Sequence, residues 1–382
     1  MTQDSSAARP TGTADRPPLR VLVITVVHDP DDARIRYRQL SALLRMGARV
    51  TYAAPFSAYR RTPPDGVTAI DLPRAAGRHR LTAIRAARRL LHHQGPDHDI
   101  ALLHDPELLL AVPGMNSRYR PLVVWDVHED TAAALTMKRW LPPQLRPLAA
   151  AGIRATERWA ERRCSLLLAE ESYRSRFRRP HPVVPNSVIV PTTAPPPAGS
   201  DRVVYLGRLT EPRGALDMIE IGRRLAPEVT VELIGPADSD VASAVAQAHR
   251  RGWVRHHGFV PNGEALDLLQ GALAGLALLH DEPNYATSRP TKVMEYMAFG
   301  VPVVTTPNAA SAELVRRYDS GVVVPFKDPE AAADAVLDLR ADPERRHRLG
   351  DAGRAGAVRD LDWRDDGQRF GELLSAWGIA AR

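Results

Sequence analysis

"VLVITVVHDPDDARIRYRQLSALLRMGARVTYAAPF" (residues 21–56) reads as strand, loop, amphipathic helix and second strand. Apolar residues run almost unbroken through 21–27, then recur at spacings of three and four through "DARIRYRQLSALLRMG". An unbroken apolar strand leading into an amphipathic helix belongs to a parallel sheet covered on both faces. The intervening loop, "HDPDDAR" (28–34), is acidic and holds no glycine. That excludes the dinucleotide fingerprint, whose glycines must follow the first strand, and the phosphate-binding GxxxxGK[ST] loop is absent from the chain.

The same alternation continues outward. Further strands are expected at 67–73, 100–105, 122–127 and 165–171. A second series is expected at 203–209, 229–235, 254–260, 275–281, 301–306 and 321–326. The proline-rich "PTTAPPPAGS" (191–200) divides the two series and reads as a hinge. The expected organisation is a disordered leader (1–20), an N-terminal domain (21–190), a linker (191–200), a C-terminal domain (201–360) and a final helix (361–382). That helix carries Trp363, Phe370, Leu374 and Trp377 on one face and either crosses back to the first domain or caps the second. The fold class is α/β: two doubly wound, Rossmann-like domains with the carboxyl ends of both sheets around one cleft.

No apolar run is long enough to span a bilayer, and residues 1–20 lack the apolar segment of a signal peptide. The single Cys164, in "RRCSLLL", reads as core rather than nucleophile. Together these favour a reducing, cytoplasmic setting. Residues 1–190 hold 29 Lys and Arg against 18 Asp and Glu, whereas the remainder holds 22 against 27. A basic first half suits an anionic lipid surface or a phosphorylated substrate, while nucleic acid lacks any accompanying motif. The helix "RHRLTAIRAARRLLHH" sets arginines beside Leu81, Ile84, Ala87 and Leu91. Peripheral contact with an anionic membrane is one reading, and packing of the stripe on its own sheet the other.

Two stretches carry chemistry. "GRLTEPRG" (207–214) follows the first strand of the second series. Gly207 permits a close turn, and Arg208 and Arg213 supply guanidiniums suited to a diphosphate. "SRPTKVMEYMAFG" (288–300) reads as a helix with Thr287 or Ser288 as N-cap and Pro290 in the first turn. Its N-terminus offers unpaired N–H groups to an anion. Glu295, one to two turns inside, is either a ribose-binding acid or a solvated helix residue.

The order and spacing of these stretches, with "HDPDDARI", "LLHDPELL" (102–109), "WDVHED" (125–130) and "VPNSV" (184–188), resemble glycosyltransferase family 4 of the GT-B fold. The likeness is to a branch that builds bacterial cell-surface polysaccharide, and it covers roughly residues 20–360. It implies a retaining transfer of sugar from a nucleotide diphosphate sugar to a hydroxyl acceptor, with neither cofactor nor metal. Glu295 is implied to bind ribose. The family's other glutamate, eight positions upstream, is replaced by Thr287. Arg208 and Arg213, with Lys292 as a third cation, are implied to hold the donor diphosphate, Gly207, Thr287, Ser288 and Thr291 to belong to the donor site, and Gly258, Phe259 and Val260 to line the base. His128 is implied to contact donor and acceptor, so that His128, Arg208 and Arg213 form the catalytic set. His28, Asp32, Arg34, His104 and Asp126 border the cleft on the acceptor side. His28 and Asp29 equally fit helix caps, and His104 and Asp105 strand-end caps. "DSD" (238–240) reads as a chance match to a metal motif. The alternatives are a nucleotide-sugar 2-epimerase and a non-catalytic nucleotide-sugar-binding protein.

Overall fold

The computed structural model describes residues 17–115, 121–132, 142–282, 285 and 290–381. Residues 1–16 of the expected leader, and Thr287 and Ser288, lie outside the described residues.

All twelve expected strands form. The first six are β1 (Arg20–Ile24), β2 (Arg49–Ala54), β3 (Val67–Asp71), β4 (Ile100–Leu103), β5 (Leu122–Val127) and β6 (Ser165–Leu168). They make one sheet in the order β3-β2-β1-β4-β5-β6. The others are β7 (Arg202–Leu206), β8 (Thr230–Ile234), β9 (Val254–Gly258), β10 (Ala274–Ala277), β11 (Val303–Thr305) and β12 (Gly321–Val323). These form a second sheet, β12-β11-β10-β7-β8-β9. Every ladder is parallel.

The period of two explains why these runs carry so few polar residues. In β1, Leu22 and Ile24 enter one buried cluster and Val21 and Val23 the other. In β7, Val203 and Tyr205 face one core while Val204 faces the second. Each sheet reverses its winding between its first and fourth strands, β1 and β4 or β7 and β10. Ligand crevices in open α/β sheets lie at such switch points, beyond the carboxyl ends of the strands.

The chain crosses between domains earlier than its composition suggests. Val184 packs with the first core, whereas Val188 and Val190 already belong to the second. Residues 191–200 do not hinge the molecule but lie along the second domain. The Pro191 and Ala198 carbonyls accept hydrogen bonds from Arg354 (2.9 Å) and Arg346 (3.2 Å). Prolines remove donors but leave carbonyls outward, and arginines of a neighbouring helix take them. The return crossing pairs with the outward one: Val188 N donates to Leu361 O at 2.9 Å and Trp363 N to Val188 O at 2.7 Å. The helix Trp363–Ala381 then covers the first sheet, with Trp363, Phe370 and Leu374 in the core that holds Val21 and Val23.

Candidate active site

The expected helix after β1 begins as a π-helix, Ala33–Leu40, and continues as an α-helix, Ser41–Arg45. Asp32 is its N-cap, accepting from Arg34 N (2.8 Å) and Ile35 N (3.0 Å). The wider π turn sets Arg34, Arg38 and Gln39 inward, all buried. Asp126, at the carboxyl end of β5, is fully buried. Its carboxylate receives Arg34 Nε and Nη2 at 2.7 Å each and Gln39 Nε2 at 3.0 Å. Burial opposes its ionisation, but the Arg34 charge and hydrogen bonds hold it well below the usual carboxylate range.

Asp105, beyond β4, performs a matching task for the loop after β1. It accepts from Thr25 Oγ1 and Val27 N, each at 3.1 Å. His28 Nε2 lies 3.3 Å from its other face. His128 is thereby sandwiched. Its Nδ1 is 3.1 Å from Asp126 O and its Nε2 is 3.1 Å from His28 Nε2. Burial lowers the affinity of His128 for a proton, yet Asp126 more than offsets this and pushes it up to about 9. His104 lies behind, 1% exposed, with Nδ1 3.3 Å from Asp126 and Nε2 without a partner among the described residues. Burial pushes its pKa down. Two groups here have ligand atoms close enough to share a metal ion, His28–His128–Glu129 and His104–Asp126–His128. In the second, the Arg34 guanidinium already occupies Asp126.

Across the cleft, the turn after β7 and the helix Thr291–Ala298 meet. Gly207 has φ +128°, and a Cβ there would lie 3.4 Å from Lys292 Nζ. Gly214 has φ +78°, and a Cβ would collide with Leu278 O at 2.4 Å, so Gly alone lets the segment carrying Arg213 lie against the residue just past β10. Tyr296 anchors the helix: its hydroxyl donates to Leu276 O (3.0 Å) and accepts from Leu206 N (2.9 Å). Lys292 is buried, with its ammonium 3.7 Å from the centre of the Tyr205 ring. Burial, then the neighbouring Arg213, push its pKa well down. The Tyr205 and Tyr285 phenols stand beside Arg213, and the Tyr205 hydroxyl donates to Arg208 O at 2.8 Å. Neither cation has a carboxylate within ion-pair distance among the described residues. Half-buried Arg213 and buried Lys292 thus stand side by side, an arrangement suited to an anion.

Three expectations need correction. Pro290 does not occupy the first turn: its ψ of 119° is extended, it serves as N-cap without a side-chain bond, and Thr291 is the first helical residue. Arg208 does not pair with Arg213, because Asp238 draws its guanidinium outward at 3.0 Å. The cation beside Arg213 is Lys292. Phe259 turns its exposed ring to Arg61 of the first domain, 4.0 Å above it, while Val260 packs into the core and Gly258 (φ +68°) makes the turn. Asp240 accepts from Glu211 N at 3.3 Å, so both acids of "DSD" serve the turn after β7.

The sequence reading missed Arg38, Arg61 and Tyr296. Arg38 Nη2 lies 3.5 Å from Glu295 Oε1, crossing from one domain to the other. Its only sequence signal is its place four residues after Arg34, which looks like a solvated basic face.

Residues 194–356 match the family described as "Glycosyl transferases group 1". A GDP-mannose-dependent alpha-(1-6)-phosphatidylinositol monomannoside mannosyltransferase of Mycolicibacterium smegmatis is 43% identical over 82 residues, 22% of each chain. A phosphatidyl-myo-inositol mannosyltransferase of Mycobacterium leprae is 32% identical over 191 residues, 47% of this chain and 49% of that one. The matched stretches thus span less than half the length of these relatives. Among solved structures, sucrose-phosphate synthase from Thermosynechococcus elongatus superposes over 95% of this chain and 100% of its own, with TM-score 0.70 and 18% identity. Anabaena Alr3699/HepE in complex with UDP-glucose does so over 94% and 100%, with TM-score 0.68 and 15% identity. Two six-stranded parallel sheets in this arrangement are a GT-B fold, and its second domain, residues 194–356, is what matches the glycosyl transferases group 1 family.

Proposed function

We propose that the protein transfers a sugar from a nucleotide diphosphate sugar to a hydroxyl acceptor, with retention at the anomeric carbon and without a metal. The observation that carries this is half-buried Arg213 beside buried Lys292, neither with a carboxylate within ion-pair distance among the described residues, next to the Gly207 turn and the N-terminus of Thr291–Ala298. A leaving diphosphate supplies the negative charge this corner is built to receive. Glu295, further along the helix, accepts from ribose hydroxyls. His28 and His128 face the same cleft from the first domain and position the acceptor. The acceptor oxygen bonds to the anomeric carbon from the leaving-group face as the carbon–diphosphate bond breaks. A diphosphate oxygen takes the acceptor's proton. Asp105 and Asp126, already engaged by hydrogen bonds, suit a reaction that needs no protein carboxylate as nucleophile.

Where the acceptor is lipid-linked, peripheral docking uses the outer face of the helix Arg80–His93. Its Ala83, Ala87, Leu90 and Leu91 pack on the sheet, leaving Leu81, Arg85 and Arg89 in solvent. Incubation with UDP-, GDP- and ADP-sugars plus a panel of hydroxyl acceptors tests the reading. Free nucleoside diphosphate together with a glycosylated product is expected. An isomerised donor would indicate the epimerase, and binding without turnover a non-catalytic protein.

A further inference from the structure

Glu295 is 6% exposed. To accept from both hydroxyls of a ribose its carboxyl must be ionised, and burial works against that. Two cations face it. Lys292 sits on the same helix, but it lies beside Arg213 and over Tyr205, and is given to the diphosphate. The other is Arg38, which comes from the first domain and is itself only 4% exposed.

Arg38 is held so that it cannot swing freely. Its Nη1 donates to Asn186 Oδ1 at 3.2 Å, and its carbonyl accepts from Trp363 Nε1 at 3.1 Å. Asn186 and Trp363 stand where the chain passes between domains, outward and back. Arg34, on the same face of the π-helix, is fixed to Asp126 and to Val184 O at 3.2 Å, and its Nη1 lies 3.5 Å from the same Asn186 oxygen. Its other tethers therefore belong to the first domain or to a crossing segment, while Nη2 reaches Glu295 in the second.

We infer that Arg38 is a positioning residue for nucleotide recognition across the cleft. Closure of the domains delivers its guanidinium to Glu295, keeping that carboxylate charged and aimed at the vicinal diol of a ribose. This rests on the reading of Glu295 as the ribose acid. Opening the cleft removes the counterion, so ribose recognition is coupled to domain position rather than built into the second domain alone. The groups facing Glu295 are Arg38 and Lys292, with Tyr296 adjacent in the helix. Asp32 and Arg34 act on Arg38, and Arg213 acts on Lys292. Arg38 is the first of the two charges that oppose the upward push of burial on Glu295.

Calorimetric titration of the full chain with UDP, GDP and ADP, and with their 2′,3′-dideoxy counterparts, tests this. For the wild-type protein the ribonucleotide binds more tightly than its dideoxy form. In R38Q that preference falls about tenfold while dideoxy affinity stays within about twofold, and R38K recovers most of the loss. The preference of R38Q also fades at higher pH than that of the wild type, because loss of a cation raises the carboxyl pKa. N186A loosens Arg38 without discharging it, predicts a fall of about threefold, and serves should R38Q not fold. Unchanged preference in the folded Arg38 and Asn186 variants, or equal loss for both nucleotide forms, overturns the inference. If E295Q loses the preference and R38Q keeps it, Arg38 alone is refuted. If E295Q keeps it, or no ribonucleotide binds, the ribose reading fails as well.

Discussion

Both oxygens of Asp126 are engaged by Arg34, and that pair shapes the first domain's side of the cleft. Removing one partner strands a buried charge, so Asp126→Asn is expected to lower stability by about 3–5 kcal/mol in urea denaturation. The same carboxylate holds His128 at about 9. The folded value lies above the unfolded one, so protonated His128 contributes stability that is complete below about pH 6.5 and lost as pH rises through about 9. A shift of that size corresponds to about 3 kcal/mol at most. His128→Gln is predicted to flatten the fall in melting temperature between pH 6.5 and 9. On the other side of the cleft, Arg213→Ala should keep the fold and cost about 3 kcal/mol of transition-state stabilisation, roughly 100-fold in kcat. Near-normal turnover at saturating donor would contradict its role.

At the scale of elements, the helix Thr291–Ala298 is set by Tyr296 rather than by its cap. A Cβ on Gly275 of β10 would lie 2.4 Å from the Tyr296 ring, so strand and helix meet at a spacing only glycine allows. Tyr296→Phe leaves Leu206 N without its acceptor and is predicted to cost about 1–3 kcal/mol in chemical denaturation. Donor affinity should fall with it, since Lys292 and Glu295 ride on the same helix. How legible this was in the sequence differs by feature. The central strands were readable because buried parallel strands are almost wholly apolar, whereas the half-exposed edge strands β3 and β9 carry polar residues and were readable from their place in the alternation. The helix was readable too, but not its start, which depends on one ψ angle at Pro290. The π-helix was hidden because Arg34 and Arg38 keep a spacing that an α-helix also satisfies. Arg208 misled for another reason: the acid that draws it away, Asp238, lies in a different loop.

For the whole molecule, the two crossings and the final helix tie the domains at one end, and Arg61 over Phe259 touches across the cleft. Arg61 is oriented by donating to both oxygens of Asp29, Nε to Oδ1 at 3.0 Å and Nη2 to Oδ2 at 2.8 Å. The proline-rich stretch suggested a hinge that the fold places elsewhere, because carbonyl acceptors facing arginines are not visible as a composition signal. That the cleft binds a nucleoside diphosphate through the second domain's cations is the central claim. Calorimetric titration of wild type and of Lys292→Ala with UDP and GDP tests it most directly. Saturable wild-type binding weakened about 100-fold in the variant is predicted, as befits loss of a buried charge-assisted contact. No binding of either nucleotide, or equal affinity in the two proteins, would contradict it.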